Sequence, residues 1–168
     1  MKEKKLVIVA SAVILVTLIS FFCDNFYYST AGNTVQSSVE NGLQVFLTLD
    51  PDTTTYKQGA EVFATVTLTN IGHKALNVSF DPANTYLGLD VRNSENVSVW
   101  TEGGNSGVLT VAPQRSVNDA FNWNTGSYYS MPQASIGVYQ LFGFLVTDNN
   151  FTSRFQTAPL NIAIVEGS

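Results

Sequence analysis

The chain has 168 residues, 45% hydrophobic and only 12% charged, with a formal net charge of −5 and a pI of about 4.6. Beyond the first 31 residues five basic and eleven acidic side chains remain, a balance that sets nucleic acid aside as a partner because no basic patch is left for a phosphate backbone. With one Cys and one His in the whole chain, a blue-copper site has too few ligands to assemble, and nucleophilic catalysis has a single imidazole to serve as base.

The chain opens with "MKEKKLVIVASAVILVTLISFFCDNFYYSTAGN", in which an uncharged apolar run from Leu6 to Cys23 follows Lys2, Lys4 and Lys5. Eighteen helical residues at ~1.5 Å each span about 27 Å, just enough for a bilayer core. The lysines belong on the cytoplasmic side, so everything after Cys23 is expected outside the cell membrane or secreted. Ser29-Thr30-Ala31 offers small residues for signal-peptide cleavage before Gly32. Phe26, Tyr27 and Tyr28 equally suit the interfacial belt of an uncleaved anchor. Residues 1–31 are thus a signal peptide or a membrane anchor, with membrane contact through residues 6–23 unless cleaved. Phe21-Phe22 before Cys23 are too bulky for a lipidation signal, and no cysteine follows to form a disulfide. Residues 32–41, including "NTVQSSVEN", are small and polar and read as a tether.

From residue 42 to 166 the pattern alternates with period two, segment after segment. "LQVFLTL" places Leu43, Val45, Leu47 and Leu49 on one face, and "EVFATVTLTN" does the same for Val62, Ala64, Val66 and Leu68. "ALNVSF", "LGLDVRN" and "NVSVW" direct Leu76, Val78 and Phe80, then Leu87, Leu89 and Val91, then Val97 and Val99 to one side, with Trp100 opposite. "GVLTVAP", "NDAFNWN", "GVYQLFGFLVTD" and "LNIAIV" complete the set, with Phe121 and Trp123 facing inward. Turn-rich stretches such as "DPDTTTYKQG", "TEGGNSG" and "NTGSYYSMPQASIG" lie between them. The expected fold is all-β: an Ig-like antiparallel sandwich of about eight or nine strands after one N-terminal hydrophobic helix. The only histidine, His73, sits in "NIGHK", read as an exposed turn where Gly72 supplies a permissive backbone angle.

The stretches "VTLTNIGHKALNVSF", "LGLDVRNSENVSVW", "LTVAPQRS", "AFNWN" and "IGVYQLFGFL" together resemble the BsuPI-type intracellular proteinase inhibitor domain over roughly residues 60 to 147. The places of that pattern are held here by Asn70, Phe80, Val99-Trp100, the turn Val111 to Gln114, Trp123 and Gly137-Val138-Tyr139. "TEGGNSG" departs from it, standing where an aromatic would follow the Val-Trp step. The resemblance implies a small β-sandwich and proteinase inhibition, although an exported chain departs from "intracellular".

Catalytic residues and cofactors are not expected. Asp50, Asp52, Asp81, Asp90, Asp119 and Asp148 mostly fall at strand ends beside turn formers, where Asp caps turns. Asp50 and Asp52 with Asp148, Asn149 and Asn150 would hold calcium only if two loops met, and turn formation explains them more simply. Asn77, Asn96 and Asn150 begin Asn-x-Ser/Thr acceptors for glycosylation. The strand "GVYQLFGFLV" is apolar on both faces, so it is either a covered central strand or a partner surface built on Phe142 and Phe144. Trp100, Tyr128, Tyr129 and Met131 join these as candidate contacts for a protein partner on the cell surface. The function expected is a non-enzymatic exported module for binding or assembly. Proteinase inhibition and a filament or envelope subunit are the alternatives; "NTVQSSVEN" is too polar to dock well into a neighbouring copy. Protease added to intact, wall-stripped cells should digest the C-terminal domain; protection until lysis would place the domain inside and overturn the topology.

Overall fold

In the computed structural model the alternating segments become strands, with residues 33–78, 86–103, 109–127, 132–146 and 154–167 described. Residues 6–23 and Ala31 lie outside the described residues, among which no helix is long and apolar enough to cross a membrane. In chain order the strands are β1 (Thr34–Gln36), β2 (Leu43–Asp50), β3 (Thr55–Lys57), β4 (Glu61–Asn70), β5 (Leu76–Val78) and β6 (Tyr86–Arg92). Then come β7 (Ser98–Gly103), β8 (Leu109–Val111), β9 (Ser116–Asn124), β10 (Gly137–Val146), β11 (Arg154–Gln156) and β12 (Leu160–Val165). A four-stranded sheet, β1-β2-β4-β9, packs on a six-stranded one, β3-β12-β10-β6-β7, in which β11 also pairs with β10. The short β5 and β8 form a separate pair.

The core follows the alternation. Val45, Leu47, Leu49, Val62, Ala64, Val66, Leu68, Phe121 and Trp123 come from one sheet, all buried. Leu87, Leu89, Val91, Tyr139, Leu141, Leu145, Leu160, Ile162 and Ile164 face them from the other. Each large side chain removed from water contributes roughly 1.5–3 kcal/mol, the dominant force in a fold without disulfides.

Four segments depart from expectation. Residues 33–41, part of the stretch expected as a tether, are bound to the sheet. Thr34, Val35 and Gln36 pair with Thr48, Leu47 and Phe46, and the chain turns through Asn41 and Gly42 at φ 51° and 81°. Glu40 and Leu43 exchange both backbone hydrogen bonds, at 2.9 and 2.8 Å, the two-residue hairpin that Asn-Gly favours. The polar residues are satisfied by backbone: the Ser37 hydroxyl accepts from the Val45 N–H at 3.0 Å.

"DPDTTTYKQG", expected as loop, contains β3, which runs parallel to β12 and makes the sandwich not wholly antiparallel. It seats Tyr56 in the core, where burial first and the Asp50 carboxylate second raise the phenol pKa.

"NIGHK" carries the chain out of the four-stranded sheet rather than closing a hairpin, for β5 pairs with β8 and not with β4. His73 is exposed as expected, but Gly72 takes no positive φ. The turn is organised by the buried Asn70 amide. Its Nδ2 donates to the Lys74 and Val111 carbonyls at 2.8 and 2.9 Å, and its Oδ1 accepts from the Gly72 N–H at 2.9 Å. A Cβ on Gly72 would lie 3.1 Å from that Oδ1, so close approach, not dihedral freedom, suits glycine here.

Val97 and Val99 are exposed, and Trp100 packs against the core instead. The ladder pairs Val91 with Trp100 but Arg92 with Ser98, so Val99 is the extra residue of a bulge. A bulge shifts the alternation by one, which reverses the faces that strict period-two reading assigns.

Asn70→Ala strands the buried Val111 carbonyl along with two further partners and should cost about 2–4 kcal/mol. Trp123→Ala should cost about 3–5 kcal/mol through the cavity it leaves, whereas His73→Ala should stay within about 0.5 kcal/mol. Urea midpoints of the full-length chain check all three, and equal losses at Asn70 and His73 would contradict the turn described.

Candidate binding pocket

The outward face of the six-stranded sheet does not offer Phe142 and Phe144 to a partner; they are only 7% and 1% exposed. The bare backbone of Gly88, directly opposite Phe144 in the ladder, lets that ring lie where a Cβ would sit, against the Glu102 carbonyl. Phe142 is covered by the Arg92 guanidinium, whose carbon stands 4.6 Å from the ring centroid. Arg92 is held in turn by Asp90, which faces outward yet is 1% exposed. Ser98 and Thr101 donate their hydroxyls to Asp90 Oδ1 at 2.6 and 2.7 Å, and Arg92 Nε donates to Oδ2 at 2.9 Å. Burial alone would push this carboxyl up, but those hydrogen bonds and the guanidinium charge outweigh it and hold the pKa below its usual value. This strand is therefore a covered one, and the network is a lid over it.

A pocket of about 390 Å³ opens where β6 and β9 end and β7 and β10 begin. Trp123 and Tyr139, one from each sheet, meet edge-on at its floor with centroids 5.2 Å apart. The half-buried Trp100 and the bulged Val99 make one wall, and Asn93 and Asn124 stand at the lip. The opposite wall is the chain from Pro132 to Val138, where Ile136 and Val138 are 57% and 55% exposed. That wall is pinned. The Ala134 N–H donates to the Thr125 carbonyl at 2.9 Å, Gln58 Nε2 donates to the Ala134 carbonyl at 2.6 Å, and the Tyr139 hydroxyl donates to the Ser135 carbonyl at 2.8 Å. Thr125, fully buried, ties the same corner to Ala60 and Gly59.

Of the candidate contacts, Trp100 lies in this pocket, Phe142 and Phe144 do not, and Tyr128, Tyr129 and Met131 lie outside the described residues. Asn77 and Asn96 are exposed, the first accepting from the Thr110 hydroxyl and the second from Arg92 Nη1; Asn150 lies outside the described residues. Asp148 and Asn149, half of the calcium reading, are likewise outside them. Sequence reasoning missed Asn93, Asn124, Ile136 and Val138. The bulge at Val99 conceals the wall it forms, but "SIGV", with two branched apolar residues flanking a glycine at a loop's end, was a usable signal.

No protein-family model matches the chain, and no curated protein does. Among solved structures it is similar to the C-terminal domain of wzt, with a TM-score of 0.55 at 7% identity over 84% of this chain and 86% of that one. The CARDB domain of a Pyrococcus furiosus protein aligns at a TM-score of 0.45 and 12% identity, covering 75% of this chain and 96% of that one. Spo0M, a sporulation control protein of Bacillus subtilis, aligns at 0.45 and 14% identity, over 77% and 51%. The first likeness shows the fold, an Ig-like β-sandwich.

Asp90→Asn should cost about 2–4 kcal/mol at neutral pH, since it leaves the guanidinium without its counter-charge. Because the folded pKa is depressed, this contribution is complete above the unfolded value of about 3.9 and fades as pH falls through the lower, folded one. Urea midpoints of wild type and variant should therefore converge as pH drops below about 4; a gap that stays constant down to the lowest accessible pH would contradict the ion pair.

Proposed function

We propose that the chain is an exported, non-enzymatic binding module, held at the membrane through residues 6–23 or released by cleavage after Ala31, whose sandwich engages a cell-surface partner at the pocket. The supporting observation is the pocket itself: a pinned wall, an aromatic floor and exposed apolar residues at the rim. Rigid walls matter because ordering a loose loop on binding would subtract from affinity. Tyr139 is the one ionisable side chain among the described lining residues, and its hydroxyl is committed to the Ser135 carbonyl. Such a lining favours holding a ligand over moving protons through it.

The inhibitor activity implied by the BsuPI resemblance asks for an extended loop free to enter a protease cleft. Residues 132–136 of the "NTGSYYSMPQASIG" segment instead lie back on the domain, bound by Gln58, Thr125 and Tyr139. Binding at the pocket therefore ranks above inhibition.

The test is cosedimentation of the full-length protein, in amine-oxide micelles, with envelopes prepared from its own cells. Wild type should bind saturably, and the combined Trp100→Ala, Ile136→Ser, Val138→Ser variant should bind about tenfold more weakly while still melting in one cooperative transition above the assay temperature. Equal binding by the two would remove the pocket from the function.

A further inference from the structure

We propose that the pocket takes an uncharged, hydroxyl-rich ring, a neutral sugar unit of a glycan; the proposal rests on the binding-module reading above. Three features of the lining select that chemistry.

The first is charge. No described lining residue is charged, although the chain as a whole carries a net charge of −5. An anionic ligand would leave water here without meeting a cation, and a cationic one without meeting a carboxylate, each at a high desolvation cost.

The second is a pair of amide donors among the lining residues. Asn93 Oδ1 accepts from the Glu95 and Val97 N–H groups at 3.0 and 2.9 Å, and Asn124 Oδ1 accepts from the Gly126 N–H at 2.7 Å. Backbone N–H groups can only donate, so these bonds settle which end of each amide carries oxygen. Each Nδ2 is left to donate, and neither has an acceptor among the described residues. A wholly apolar ligand would dry these donors without pairing them. Hydroxyl and ring oxygens of a sugar accept from them.

The third is the aromatic wall. Trp100 is half-buried, packs against the core and lines the pocket together with Trp123 and Tyr139; the negative π-face of an indole suits the weakly positive C–H face of a pyranose. The volume of about 390 Å³ lies in the range of small-ligand sites. An extended peptide fits less well. It would add to the β7 edge, and the bulge at Val99 interrupts that edge at the pocket's rim.

Full-length protein in amine-oxide micelles, a detergent without a sugar headgroup, is applied to an array of neutral and acidic oligosaccharides and short apolar peptides. We expect saturable binding of at least one neutral oligosaccharide, reduced at least tenfold by Trp100→Ala. Asn93→Asp with Asn124→Asp should reduce it at least tenfold as well, because the substitutions keep the oxygens that hold both turns and remove the donors. His73→Ala, outside the pocket, should bind as wild type, and melting temperatures should show every variant folded. Binding confined to acidic oligosaccharides or to peptides, or no binding on the array, overturns the sugar assignment. If envelope cosedimentation still depends on Trp100 in that case, the binding-module reading stands without it; if it does not, both fall.

Discussion

The two sheets come into close contact at Gly143, on β10, the strand at the centre of the six-stranded sheet. A Cβ there would lie 3.2 Å from the Leu47 Cβ and from both methyls of Val66, so the facing side chains rest on bare backbone. At the same point the neighbouring chain passes from β11 to β12, leaving a gap in the ladder. Thr157 fills it: its hydroxyl accepts from the Gly143 N–H at 3.1 Å, and its own N–H donates to the Gly143 carbonyl at 2.9 Å. With β10 fixed by its partners on both edges, β6 and β12 take their registers from it. In a domain with no disulfide to brace it, stability comes from this continuous apolar packing.

The ends of the four-stranded sheet use the same chemical group in opposite ways. At one end of β4 the Asn70 amide spends its oxygen and both donor directions on carbonyls and an N–H of its own chain, sewing the β5–β8 pair to the sheet. Near the other end, where Val62 pairs with Trp123, Asn124 commits only its oxygen. A saturated buried amide stiffens a fold; one among the pocket's lining residues that commits only its oxygen keeps its Nδ2 as a donor. That difference, together with the pinned wall from Pro132 to Val138, separates the structural end of the sandwich from the end proposed to bind.

The outward face of the six-stranded sheet shows why exposure cannot be judged from hydrophobicity alone. Phe142 and Phe144 have the composition of a contact patch. Gly88 and the Asp90–Arg92 pair, two and four residues further along β6, turn them into covered side chains. Neither the glycine nor the ion pair announces itself, because both effects depend on which residues stand opposite across the ladder.

The sequence by itself determined the all-β class and the inward-facing residues of β2, β4, β6 and β9, because a half-buried strand must alternate and these segments do so. It also showed that "GVYQLFGFLV" is apolar on both faces, which the structure resolves in favour of a covered strand. What only the tertiary structure decided are the places where one residue's environment is set by another far along the chain. The pairing of residues 34–36 with β2, the parallel docking of β3, the bulge that exposes Val99, and the gathering of Asn93, Trp100, Asn124 and Ile136 around one pocket are all of this kind. Local periodicity reports which way a side chain points relative to its own strand. It carries no information about what the opposing strand, or the next loop, brings to meet it.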